Sequence, residues 1–274
     1  MQLIDSDRVM KRVGRTTVLR DISFQLNEGE RVALTGKNGS GKSSLLKWIG
    51  GLYEETSGHV ERQLVIVGYV PELFPETVRA TPRQFLRAMG RLSNRSSRQT
   101  YVQMIETYAD AFGLAGVLDR PLKRCSKGTR QKVGIIQALL HEPDVLLLDE
   151  PLTGLDEEGK RQLVRIIEQL PKRVAVVFVT HDRSFIESVA TRVVTIADGT
   201  IVKDQAVSPS ASYHTIDVSI SDAQQLDGIS YVHGLFVSEE RVELTVERDE
   251  VDHVLLELLT RGCSIHSVTE KEAM

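Results

Sequence analysis

The sequence is poor in the residues that mark several large classes of protein. It has two cysteines, Cys125 and Cys263, far apart and in no metal-site spacing. That excludes a disulfide scaffold and a cysteine-built zinc site, and both thiols are expected to stay reduced. Aromatic residues make up 5% of the chain, which argues against stacking platforms for single-stranded nucleic acid. Apolar runs are short. The longest, such as Val174 to Val179, cover about six residues, against the roughly 20 that a bilayer-spanning helix needs. The opening MQLIDSDRVM has no basic flank followed by an apolar stretch, so no signal peptide is expected there. The formal net charge is −4, so the strongly basic balance of a nucleic-acid binder is missing as well, and no such partner is expected.

What is present is ordinary globular composition, 41% hydrophobic and 26% charged, distributed unevenly in charge. Residues 206–274 hold four Lys/Arg and thirteen Asp/Glu, a net −9, whereas residues 1–205 hold 30 and 25, a net +5. This shift marks a domain boundary, giving a large domain over 1–205 and a small acidic one over 206–274. In the large domain, residues 2–27 read as short strands turning at Gly14-Arg15. Strands follow at Arg31–Leu34, Leu64–Val70, Val145–Leu148, Val174–Val179 and Val193–Ile196. Between them the pattern predicts helices over 42–49, 98–112, 127–140, 157–170 and 183–190, with another opened by Thr81-Pro82. Continuous aliphatic strands separated by amphipathic helices predict an α/β fold with a largely parallel sheet covered on both faces. Past the SPSAS linker, strands at 215–220, 230–237 and 242–246, a helix over 250–261 and a strand at 264–268 predict a small α+β unit. His214, His233, His253 and His266 are scattered through it without metal-ligand spacing, and it holds no catalytic constellation.

The chemistry is concentrated in the large domain. Gly36-Lys37-Asn38-Gly39-Ser40-Gly41-Lys42-Ser43, followed by Ser44, is a full G-x-x-x-x-G-K-[ST] loop set between a buried strand and a helix. Its glycines let successive N–H groups curl inward around phosphate oxygens, at the positive end of the following helix. Lys42 is expected on the β- and γ-phosphates of ATP and Ser43 on Mg²⁺. Val145-Leu146-Leu147-Leu148 delivers the acidic pair Asp149-Glu150 to a strand end, where α/β sheets bind ligands. Asp149 is expected to hold Mg²⁺, usually through water, and Glu150 to orient or deprotonate the attacking water. His181, in Thr180-His181-Asp182, ends the next buried strand at the same edge. Ser126-Lys127-Gly128-Thr129 opens a helix and is an anion site of its own.

In content, order and spacing these motifs resemble the ATPase subunits of ABC transporters, over about residues 5–204. The resemblance identifies a Walker A motif at 36–43, a degenerate signature at Cys125-Ser126-Lys127-Gly128-Thr129 and a Walker B motif ending at Asp149-Glu150. A D-loop at Thr153-Gly154-Leu155-Asp156 and the switch histidine His181 complete the set. It implies a P-loop ABC-type ATPase core with N-terminal antiparallel strands and a helical subdomain at about 75–140. It also implies a cytoplasmic ATPase, peripheral on the inner face of the membrane, that drives transport through a separate membrane permease. Two copies, or one copy and a paralogue, would pair head to tail, the signature residues Ser126, Lys127, Gly128 and Thr129 of one meeting the ATP of the other.

Three positions depart from the family's pattern. The usual Leu-Ser-Gly-Gly-Gln signature is Cys-Ser-Lys-Gly-Thr here. The glutamine expected after the strand that follows Walker A is Glu72, still a possible Mg²⁺ ligand and a mark of an export-like subtype. The aromatic that stacks on adenine falls at Val13. Arg83, Arg87 and Arg91, four apart, predict a basic helix face toward a membrane partner or a solvated one. The rival reading, a soluble ABC-type ATPase acting on ribosomes or DNA, is opposed by the single P-loop and the absence of sustained heptads. A P-loop kinase would leave the signature and His181 unexplained.

Overall fold

The computed structural model describes residues 1–75, 78–92, 97–207, 213–220, 226, 229, 232–238, 241–247 and 250–271. The chain forms two compact units, Met1–Ser208 and Pro209–Met274.

The first unit runs β1 (Gln2–Val13), β2 (Thr16–Asn27), β3 (Arg31–Thr35), α1 (Lys42–Ile49), β4 (Ser57–Arg62) and β5 (Val67–Val70). It continues with α2 (Pro82–Gly90), α3 (Arg98–Ala111), α4 (Lys127–Leu139), β6 (Val145–Asp149) and α5 (Glu157–Glu168). It closes with β7 (Ala175–Val179), α6 (Arg183–Val189), β8 (Arg192–Ala197) and β9 (Thr200–Ala206). A six-stranded sheet has the order β5-β6-β7-β3-β8-β9, and a three-stranded antiparallel sheet the order β2-β1-β4. The first five strands of the large sheet are parallel, and β9 adds an antiparallel edge.

The aliphatic runs explain the layering. Every residue of β6 and β7 is buried. Because strand side chains alternate faces, Leu146, Leu148, Val176 and Phe178 pack into the core under α4 and α5. Val145, Leu147, Val177 and Val179 pack into the core shared with α1 and the antiparallel sheet. Strands buried on both faces must be apolar throughout.

Three elements differ from the sequence expectation. The strand expected from Leu64 begins at Val67, since Leu64 is fully exposed, and β4 precedes it. β4 reads SGHVER and lacks alternation; it forms because it pairs with β1, and the Arg62 guanidinium lies 4.8 Å from the Trp48 ring centre. The edge strand β9 is mostly exposed and likewise owes its existence to pairing. The helix α2 is opened as its sequence demands, with Thr81 and Gln84 forming a reciprocal capping box before Pro82. The expected basic face on α2 is corrected at Arg83, which is tied inward to Glu106 of α3 and to Asp119. Only Arg87 and Arg91 of that series are exposed.

The second unit consists of β10 (Tyr213–Ser219), β11 (Val232–Ser238), β12 (Arg241–Glu247), α7 (Val251–Thr260) and β13 (Ser264–Lys271). Its antiparallel sheet has the order β11-β12-β10-β13, so the β12-α7-β13 crossover straddles β10 in a split β-α-β arrangement. Ile216, Val218, Val242, Leu244 and Val246 pack against Val251, Val254 and Leu258 of α7.

Candidate active site at the carboxyl edge of the parallel sheet

The order β6-β7-β3 sets three strand ends side by side. From them leave the glycine loop, the Asp149-Glu150 pair and the Thr180-His181 step. The loop glycines are required by crowding as well as by conformation. Gly36 has φ 139°, and a Cβ there would lie 2.2 Å from the Ile196 carbonyl oxygen. Gly41 has φ 109°, and a Cβ would lie 2.9 Å from the Val18 carbonyl oxygen. Lys37, Asn38 and Gly39 are exposed at the rim, Ser44 is half-buried on α1, and Ser40 is buried with an unpartnered Oγ. The Lys42 ammonium is buried and donates to the Gly36 and Lys37 carbonyls at 2.8 and 2.9 Å. The loop thus carries a cation folded into the concavity that its own backbone makes.

Ser43 Oγ donates to Asp149 Oδ1 at 2.9 Å, joining α1 to β6. Burial, the largest influence, raises the Asp149 carboxyl above its usual range, while the Ser43 hydrogen bond, Lys47 and Lys42 pull it back. Glu150 has a left-handed backbone, φ 47°, rare for a non-glycine residue and a strain that clusters at functional sites. Its carboxylate lies 3.4 Å from His181 Nε2. Burial raises its pKa too; His181 and Lys42 oppose the rise, and Asp149 and Glu72 add to it. Glu72 is exposed on the loop after β5, close enough for its charge to act on both carboxylates. Tyr69, at the end of β5, is pushed up to about 12 by burial and by the charge of Asp149.

Mg²⁺ fits this donor set. One hydroxyl and one buried carboxylate are hard oxygen ligands. No cluster of three or more His, Cys, Asp or Glu able to hold a metal occurs among the described residues, so the cation would share its coordination with phosphate and water.

The signature residues lie elsewhere. Ser126 caps α4, accepting from the Thr129 amide at 3.1 Å, and Ser126 and Lys127 are exposed. Gly128 meets Gly154 so closely that a Cβ would sit 2.1 Å from the Gly154 carbonyl oxygen. Gln131 donates to the Pro151 carbonyl at 3.3 Å, and Lys132 lies 3.0 Å from Asp156. The signature turn is therefore fastened to the loop that follows Glu150. Among the described residues, no hydrogen bond or ion pair joins 126–129 to 36–44. Val13 stands at the tip of the β1–β2 hairpin, 48% exposed. Sequence reasoning missed Lys47 and Gln131. Lys47 was findable, being four residues beyond Ser43 on the same helix face. Gln131 was not, since its acceptor is a backbone oxygen on another element.

A P-loop before a helix, an acidic pair at the end of the strand two places away and a histidine at the end of the strand between them define an ATP-hydrolysing enzyme of the ABC class. The comparisons with known proteins lead to the same place. The ABC transporter family model matches residues 19–153. The uncharacterised ABC transporter ATP-binding protein YxlF of Bacillus subtilis is 33% identical over 205 residues, 73% of this chain and 69% of that protein. The sulfate/thiosulfate import ATP-binding protein CysA of Escherichia coli is 34% identical over 221 residues, 75% of this chain and 60% of that one. A solved structure of the ATP-binding subunit of an ABC transporter superposes with a TM-score of 0.68 at 28% identity, covering 75% of this chain and 90% of that chain. This chain belongs to the ABC transporter ATP-binding proteins.

Proposed function

We propose that the chain works as a head-to-tail dimer, peripheral on the inner face of the membrane, and drives transport through a separate permease. No helix among the described residues is long and apolar enough to cross a membrane, in keeping with a permease on another chain. The observation that carries the enzymatic reading is the placement of Glu150, after β6, beside His181, after β7, with β7 next to the P-loop strand β3 and Ser43 bonded to Asp149.

In the proposed mechanism Lys42 leaves the Gly36 and Lys37 carbonyls for the phosphates, and the inward N–H groups of Gly39 to Ser44 hold the triphosphate. Ser43, Asp149 and Glu72 would hold Mg²⁺, which neutralises charge on the phosphate chain when bound. Glu150 takes the proton of the attacking water, and His181 orients its carboxylate. Val13 supplies an aliphatic contact to the base. The turn of Ser126, Lys127, Gly128 and Thr129, which makes no hydrogen bond or ion pair with its own P-loop among the described residues, serves the ATP of the partner copy. Both halves of the site are present in one sequence, so two copies suffice.

An apolar groove of about 440 Å³, lined by Ile66, Tyr69, Phe74, Phe85 and His141 among others, gives the permease a seat. Phe74 lines it two residues from Glu72, so pressure on the groove is felt at the active site. The relative with a named cargo is an importer, so the comparisons do not carry the export-like subtype that Glu72 led us to expect.

The test is Glu150→Gln. ATP binding is expected to persist while turnover nearly vanishes, and the variant should remain dimeric with ATP and Mg²⁺ in size-exclusion chromatography. Near-normal steady-state hydrolysis would refute the assignment.

A further inference from the structure

We propose that Glu72 and Lys127 form an electrostatic link within one chain that couples the two nucleotide sites of the dimer. The inference rests on the head-to-tail reading above and adds to it a connection between the sites. Its starting point is a second cavity, about 250 Å³, lined by Glu72, Leu73, Phe74, Lys127, Arg130 and Gln131. One wall is the loop after β5 and the other is the first turn of α4. The first carries an acid and the second two cations. Glu72 and Lys127 are also the two places where this chain puts a charge into an otherwise neutral motif position, and the charges are opposite. A charge added to one wall of a small cavity is offset by the opposite charge on the other.

The two walls report to different nucleotides. The Glu72 carboxylate acts on Asp149 and Glu150, the residues placed around the ATP of its own chain. Lys127 lies in the turn placed against the partner's ATP, and that turn cannot drift independently. Gly128 abuts Gly154, and Gln131, which lines the same cavity, holds the Pro151 carbonyl next to Glu150. Among the described residues no contact ion pair joins Glu72 to Lys127, so each keeps freedom to change partners. With Mg-ATP bound in the chain's own site, Glu72 would turn its carboxylate toward that site and away from Lys127. Lys127 and its wall then lose their counter-charge and attract the triphosphate of the partner site more strongly. The first ATP thereby raises the affinity for the second, and linkage makes the effect reciprocal.

The experiment is a double-mutant cycle of wild type, Glu72→Gln, Lys127→Gln and the double variant, all as full chains. Binding of a non-hydrolysable Mg-ATP analogue, by equilibrium titration, and hydrolysis of Mg-ATP are each measured against nucleotide concentration at low and high salt, with thermal unfolding as the check on folding. Both side chains are exposed, so unfolding midpoints should stay where they are. Wild type should show a Hill coefficient above 1 that falls toward 1 at high salt, where a link between exposed charges is screened. Each single change should lower the Hill coefficient to about 1; Glu72→Gln, which leaves Lys127 without its counter-charge from the start, should lower the half-saturating ATP about three- to fivefold, and Lys127→Gln should raise it by a similar factor, in the range of coupled neighbours. The double variant should resemble Lys127→Gln, because Glu72 acts on the partner site only through Lys127. A wild-type Hill coefficient of 1, or single effects that multiply in the double variant, would overturn the link while leaving the enzymatic reading intact. A folded wild type that does not hydrolyse ATP would instead sink that reading, and the link with it.

Discussion

Replacing Gly128 by alanine sets a methyl group against a backbone that has nowhere to go. The added Cβ would sit 2.1 Å from the Gly154 carbonyl oxygen and 3.1 Å from its carbon, where ordinary contact begins near 3.4 Å. The obstacle is main chain on both sides, and Gly154 is itself held at φ 79°. The signature turn must therefore move by about 1 Å, and overpacking of this kind costs about 1–3 kcal/mol. Working against this cost, alanine is the better helix former by up to about 1 kcal/mol. Gly134, on the same helix, separates the two effects. A Cβ there meets only the Phe74 ring at 3.4 Å and Val70 at 3.9 Å, so Gly134→Ala receives the propensity gain without the collision. Gly128→Ala should thus fall about 1–3 kcal/mol below Gly134→Ala in stability. Urea unfolding followed by Trp48 fluorescence reads this directly, since the chain's one tryptophan is fully buried in the first unit. Hydrolysis should drop about ten- to a hundredfold in Gly128→Ala, the usual cost of misplacing a contact by about 1 Å. Equal stability of the two variants with unaltered hydrolysis would refute the Gly128–Gly154 contact as the register of the signature turn.

Two further outcomes follow from the site. Burial holds the Glu150 carboxyl above its ordinary 4.5, and only its deprotonated form accepts a proton, so turnover is lost as pH falls through the raised value. His181 opposes that rise, so His181→Ala should shift the acid limb of the pH–rate profile to higher pH; a shift the other way, or none, would contradict the Glu150–His181 pairing. At the base, Val13 cannot supply the stacking that is worth about 1–3 kcal/mol per base in nucleic-acid binders. GTP should compete with ATP within about tenfold, a gap of roughly 1.4 kcal/mol, and Val13→Tyr should tighten ATP more than it changes turnover. Strong ATP preference in the wild type with no gain from Val13→Tyr would mean that another aromatic covers the adenine.

What the sequence determined by itself is whatever depends on near neighbours. The α/β class follows from uninterrupted aliphatic strands such as Val145–Leu148, which can only be buried on both faces. The phosphate loop follows from glycines spaced for inward N–H groups, and the start of α2 follows from Thr81, Pro82 and Gln84, three residues that satisfy one another. Tertiary structure decided everything that needs a distant partner. β4 and β9 carry no periodic signal because edge strands take their form from the strand they pair with. Arg83 reads as part of an open basic face until Glu106 and Asp119 are brought to it from 23 and 36 residues away. The run β6-β7-β3 is a matter of strand order, and it is strand order that brings Ser43 to Asp149 and sets His181 beside Glu150. Gly128 could be read as a motif glycine, but only folding shows that the Gly154 backbone fills the space where its side chain would stand. Glu72 and Lys127, 55 positions apart, became opposite walls of one cavity by the same means, because a Coulomb interaction depends on distance in space and not along the chain.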